Sequence, residues 1–163
     1  MDAHKFAKGL MGAMFRYQKR EGTVNKCFIN ALFLYDSLKQ SFPHLEVKVI
    51  PVMVYIPLEK EETNYVNMGH LVVELDGEIL DPSYEINRHS VKRYFPTVQD
   101  FVSFLPDNCI SKKKMKEIVA NFLPFVEYAD TINNGESLPT DREYYDRQAN
   151  YVSLQYKLRN KRK

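Results

Sequence analysis

Apolar residues recur at helical spacing near the start of the chain. Ala3, Phe6, Ala7, Leu10, Met14 and Tyr17 fall on one side of a helix, which predicts an amphipathic element over residues 2–20. Gly22 supplies its stop. A second helix is predicted over residues 26–42, closed by Pro43 and capped by Asn25 or Thr23. Its first half, Phe28-Ile29-Asn30-Ala31-Leu32-Phe33-Leu34-Tyr35, is apolar nearly all round. A helix without a wet face belongs inside a fold.

The pattern then switches to β. Residues 47–56 are dense in Val and Ile and predict a strand, disturbed at Pro51 and bounded by Pro57. Residues 58–68 begin with Glu59, Glu61 and Glu62 and read as a long connecting loop, of a kind that often serves as a lid. From Gly69 to Pro82, two alternating runs flank Asp76-Gly77, a strong hairpin signal. Helical spacing then returns. Thr97-Val98-Gln99-Asp100 resembles a capping box opening a short helix with Phe101, Val102 and Leu105 inward. Residues 111–132 place Met115, Ile118, Val119, Phe122, Val126 and Ala129 on one face, with a kink expected at Pro124. Thr140-Asp141-Arg142-Glu143 opens a last helix with Tyr145, Ala149, Val152 and Tyr156 as its stripe. Helices, then antiparallel strands, then helices define an α+β domain over residues 1–158, followed by a basic tail at 159–163.

Composition narrows the function classes. A chain of 163 residues with 44% hydrophobic and 13% aromatic content has enough to bury and is not disordered as a whole. Two cysteines, Cys27 and Cys109, are too few for a disulfide framework or a four-cysteine zinc site. His4, His44 and His89 show no ligand-like spacing, so neither a metal nor another cofactor is expected. The first residues have no basic-then-apolar leader pattern, and the apolar run 49–56 contains Pro51 and is far too short to span a bilayer. A cytoplasmic protein without membrane contact is the expectation. Net charge is +2, but Lys157, Arg159, Lys161, Arg162 and Lys163 supply five positive charges, leaving −3 elsewhere. The body is therefore no basic nucleic-acid platform; the tail reads as a solvated end or, alternatively, as an anchor for nucleic acid.

Three residues stand out by position. Cys27 lies in the first turn of the central helix, where free N–H groups and the helix dipole favour a thiolate and can hold an oxyanion. If Asp76-Gly77 is a two-residue turn, Leu75 opposes Glu78, Val72 opposes Asp81 and His70 opposes Ser83. His70 and Asp81 are then diagonal neighbours on one face, roughly 7–8 Å apart at Cα, within reach of a hydrogen bond. Leu71, Val73, Leu75 and Leu80 point the other way. A histidine held by a carboxylate is the base that a thiol nucleophile needs. The competing reading makes His70 a packed histidine, Asp81 a turn former before Pro82 and Cys27 a buried structural residue.

The order of these motifs resembles the transglutaminase-like core of the papain-like cysteine superfamily. Asn25-Lys26-Cys27-Phe28-Ile29-Asn30-Ala31-Leu32, Gly69-His70-Leu71-Val72-Val73-Glu74 and Ile79-Leu80-Asp81-Pro82-Ser83-Tyr84 carry the resemblance, over residues 22–84. Two departures stand beside it. Leu71 and Val72 occupy places where many relatives have an aromatic residue, and Asn25-Lys26 precedes the cysteine where many have Gly. The resemblance implies a Cys27-His70-Asp81 triad and a papain-like or transglutaminase-like core, with the cysteine-bearing central helix packed on an antiparallel sheet and C-terminal helices added. It also implies oxyanion donors. The Cys27 N–H is one, and Gln18 would act as the papain-type glutamine does, against a default of outward-facing helix surface. Asn25 is either a donor or simply the cap. The resulting expectation is a cysteine peptidase or amidase, or a transglutaminase-like acyltransferase, acting on a peptide, amide or amine-containing substrate. A non-catalytic binding protein on the same scaffold, using its basic tail, is the alternative. Cys109 has no histidine nearby in sequence and reads as inert.

Overall fold

Both N-terminal helices form where the apolar spacing places them: α1 spans Ala3–Glu21 and α2 spans Cys27–Ser41. The computed structural model describes residues 2–57, 65–105, 110–136 and 141–161, with side chains at 65–68 and 157–161 set aside. Asp2 caps α1 by accepting the His4 N–H at 3.1 Å. The start of α2 differs from expectation. Lys26 holds the N-cap position and makes no side-chain cap bond, so neither Asn25 nor Thr23 caps the helix. Asn25 instead turns the chain, with φ of 59°, a conformation that asparagine tolerates better than most residues, and its N–H goes to Glu85 Oε1 at 2.9 Å. The helix that carries Cys27 therefore begins without a capping side chain.

Strands β1 (Val47–Pro57), β2 (Tyr65–Leu75), β3 (Glu78–Leu80) and β4 (Arg93–Phe95) form a curled antiparallel sheet in the order β3-β2-β1-β4. Pro51 does not disturb β1, because it sits opposite Leu71 in an unbroken register with β2. On the other side β4 covers only Met53 to Tyr55, so no ladder bond to it is lost at Pro51. Tyr65 to Met68 already belong to β2, which corrects the reading of 58–68 as one loop; residues 58–64 lie outside the described residues.

The helices after the hairpin are α3 (Tyr84–Asn87), α4 (Val98–Phe104), α5 (Lys112–Asn133) and α6 (Arg142–Lys161). Thr97 caps α4 through the Asp100 N–H at 3.0 Å, as its capping pattern predicts. Residues 159–161, expected in a tail, continue α6. On α5 the inward stripe is Ile118, Phe122, Phe125, Ala129 and Ile132, while Val119 is 39% exposed. The stripe passes through Phe125 because that ring lies over Gly69 of β2, where no Cβ stands in its way. On α6 the buried residues are Tyr144, Gln148 and Val152, whereas Tyr156 is 49% exposed.

The main core joins α2 to the sheet: Ala31, Leu34 and Leu38 pack with Val47, Val49, Leu71 and Val73, and α5 closes over them with Ala129 and Ile132. An antiparallel sheet carrying a buried central helix, with further helices after it, is thus the α+β architecture expected. Gly69 is the tightest point. A Cβ there would collide with the Phe125 ring and stand 2.8 Å from the Asn121 carbonyl oxygen. Gly69→Ala is expected to destabilise the fold by about 1–3 kcal/mol, the usual range for overpacking. Urea unfolding checks this as a lower midpoint at unchanged slope.

Candidate active site

The turn between β2 and β3 decides where the chemistry lies. Asp76 and Gly77 have φ of 50° and 82°, the two positive values of a type I′ turn. Leu75 accordingly faces Glu78, and Val73 faces Leu80. The chain leaves β3 one residue later, and Asp81 comes alongside His70. Its Oδ1 accepts from His70 Nε2 at 2.9 Å, and both side chains are only 2% exposed.

Asp81 is held on every side. Oδ1 also accepts the Ser83 N–H at 3.0 Å, and Oδ2 accepts the Tyr94 hydroxyl at 2.6 Å. Burial, then the charge of Asp81, drives the Tyr94 pKa far above that of an ordinary phenol, so the hydroxyl remains a donor. Tyr94 is paired with Val54 across β4 and β1, a long-range pairing with no periodic signal in the sequence.

With Nε2 committed to Asp81, Nδ1 of His70 is left for the thiol. Cys27 is the first residue of α2, half-buried and free of any disulfide, and its side chain lies near enough to the imidazole to raise the His70 pKa. Burial alone would lower the His70 pKa. The charge and hydrogen bond of Asp81, followed by the neighbouring Cys27 side chain, outweigh it and push the value up to about 10. The site thus favours an imidazolium between a carboxylate and a sulfur. His70 and Asp81, eleven residues apart, are paired, and Cys27 from the distant start of α2 acts on the same imidazole.

The remaining sequence candidates are placed differently. Gln18 is not on the outer surface of α1; it is buried. Its Nε2 donates to the Pro82 carbonyl and to Gln148 Oε1, both at 2.9 Å, and its Oε1 accepts the Tyr84 N–H at 2.8 Å. Both amide protons are used, so Gln18 clamps the segment after Asp81 and has no proton left for an oxyanion. The backbone N–H of Asn25 goes to Glu85, and the Cys27 N–H stands at the uncapped start of α2. Cys109 lies outside the described residues.

Sequence reasoning missed Tyr94, and also Asn30 and Ser83, which join each other through Asn30 Nδ2 to Ser83 Oγ at 3.2 Å. A polar residue in the apolar run 28–35 was the available signal. A cleft of about 440 Å³ opens between the turn at Gly22, Thr23 and Val24 and helix α3, beside the chain leading into Cys27 and the chain leaving Asp81. Among the described residues no group of three His, Cys, Asp or Glu side chains could hold a metal, and no helix is long and apolar enough to cross a membrane. No family model, curated protein or solved structure matches this chain.

Proposed function

We propose that this chain is a thiol-dependent acyl-transfer enzyme, a cysteine peptidase or amidase, on a papain-like or transglutaminase-like core. One observation carries the reading: a buried imidazole bonded to Asp81 through Nε2 and under the influence of the Cys27 side chain at the start of α2. The Cys27 thiolate attacks the carbonyl carbon of an amide or ester, and the Cys27 N–H stabilises the oxygen that becomes negative. As the tetrahedral intermediate collapses, the carbon–nitrogen bond breaks and His70 gives its proton to the leaving amine. A thioester remains. Water then attacks it with His70 as base, releasing the acid and restoring the thiolate. Hydrolysis is preferred over transfer to an amine because water needs no second binding site. Asp81 keeps the imidazole oriented and balances its charge throughout.

The test is trapping of the acyl-enzyme. Mixing the protein with p-nitrophenyl acetate is expected to give a burst of nitrophenolate and a single acetyl group on Cys27 in the peptide map. Cys27→Ala is expected to abolish both. A missing burst, or one that persists in the variant, overturns the enzyme reading and leaves the scaffold as a non-catalytic binding protein.

A further inference from the structure

The buried polar residues of the described chain are Gln18, Asn30, His70, Asp81, Ser83 and Gln148, and they form one connected set. We infer that Gln148, on the C-terminal helix α6, is a positioning residue for the Cys27-His70-Asp81 site, acting through Gln18, Asn30 and the chain from Pro82 to Tyr84. The inference rests on the proposed acyl-transfer chemistry and adds to it an element outside the 22–84 resemblance.

The backbone sets the direction of every amide in this set. The Tyr84 N–H can only donate, so Gln18 must turn its oxygen toward it and its nitrogen toward the Pro82 carbonyl, which can only accept. The second proton of Gln18 then meets Gln148 Oε1 at 2.9 Å. That leaves Gln148 Nε2 facing Asn30 Oδ1 at 3.3 Å, where the Tyr144 hydroxyl also donates at 3.2 Å. Asn30 in turn points Nδ2 at Ser83 Oγ. Gln148 is therefore the link between two separate grips on the segment after Asp81: Gln18 on its backbone and Asn30 on the Ser83 side chain. That segment supplies the Ser83 N–H that orients Asp81 Oδ1. Gln148 is fully buried, and no buried side-chain nitrogen or oxygen among the described residues lacks a partner. Apolar residues would fill the same space, and a polar set in a core holds well only when every member is satisfied. Its completeness fixes one geometry for Asp81.

The readout is the pH at which His70 loses its proton, followed by NMR of the imidazole. The titratable groups that face the ring are Asp81 and Cys27, with Tyr94 acting through Asp81. Gln148→Met keeps the volume and deletes both hydrogen bonds. It is expected to lower the His70 midpoint by about one pH unit, because a loosened Asp81 stabilises the imidazolium less. Val152→Ala, on the same helix in the contact with Ala13, Met14 and Phe33, is expected to lower the melting temperature without moving that midpoint. Tyr144→Phe, which deletes the hydroxyl that donates to Asn30, is the milder variant should Gln148→Met not fold, and is expected to shift the midpoint in the same direction. An unmoved midpoint in the network variant that folds, or an equal shift in Val152→Ala, overturns the inference alone. A wild-type His70 that titrates near 6.5 overturns the ion pair and the acyl-transfer reading with it.

Discussion

Alkylation of Cys27 by iodoacetamide at pH 6 is expected to slow about a hundredfold when His70 is replaced by alanine. An ordinary thiol with a pKa near 8.5 is only about 0.3% thiolate at pH 6. Complete ionisation would therefore set an upper bound of roughly 300 on the ratio. The expected ratio stays below that bound, because thiolate nucleophilicity and thiolate population pull in opposite directions. His70 retains its proton well above neutrality, so the imidazolium is available across this range. The variant must still fold, which near-UV circular dichroism of the tyrosine-rich core reports. Equal rates in wild type and variant would show that His70 does nothing for the sulfur.

Asp81→Asn is the second large effect. It keeps the shape and removes the charge that holds the imidazole proton, so the alkaline limb of the pH–rate profile is expected to fall from about 10 toward 6.5. Turnover is expected to drop on the order of 10²–10⁴-fold, because a neutral amide neither balances the imidazolium nor fixes its tautomer. Stability should change with pH in a matching way. The folded-state pKa of His70 lies above its ordinary value of 6.5. Its contribution is therefore full below 6.5 and is lost as pH rises through about 10. Urea midpoints measured across that window are expected to fall with pH in the wild type and to stay flatter in Asp81→Asn. A wild type with no loss of stability across the window would remove the charged pair.

Several parts of the candidate site were legible because their signals are local. Asp76-Gly77 fixes the turn type, the turn type fixes the register, and the register puts His70 and Asp81 on one face. Each step involves residues at most eleven places apart. Cys27 was legible as the residue at which an apolar helix begins. The α5 face was misread where locality failed: Val119 and Phe125 are equally apolar, and only the Gly69 gap on β2 decides which one turns inward. Gln18 was misread for the same reason. A glutamine on an amphipathic helix looks like surface until its partners, Pro82, Tyr84 and Gln148, are in place, and these lie 64 to 130 residues away.

The chain's order of apolar and turn-forming residues determined by itself the two N-terminal helices and the hairpin with its register. These follow from periodicity and from backbone preferences that act over a few residues. Only the tertiary structure decided that the α2 start is uncapped, that Tyr94 grips Asp81, that Gln18 is a buried clamp and that α6 completes the polar set. Hydrogen bonds between distant residues depend on how whole elements pack, and packing leaves no period in the sequence. The same holds for the approach of the α2 start to His70, because the core of Ala31, Leu34, Leu71 and Val73 seats α2 against β2.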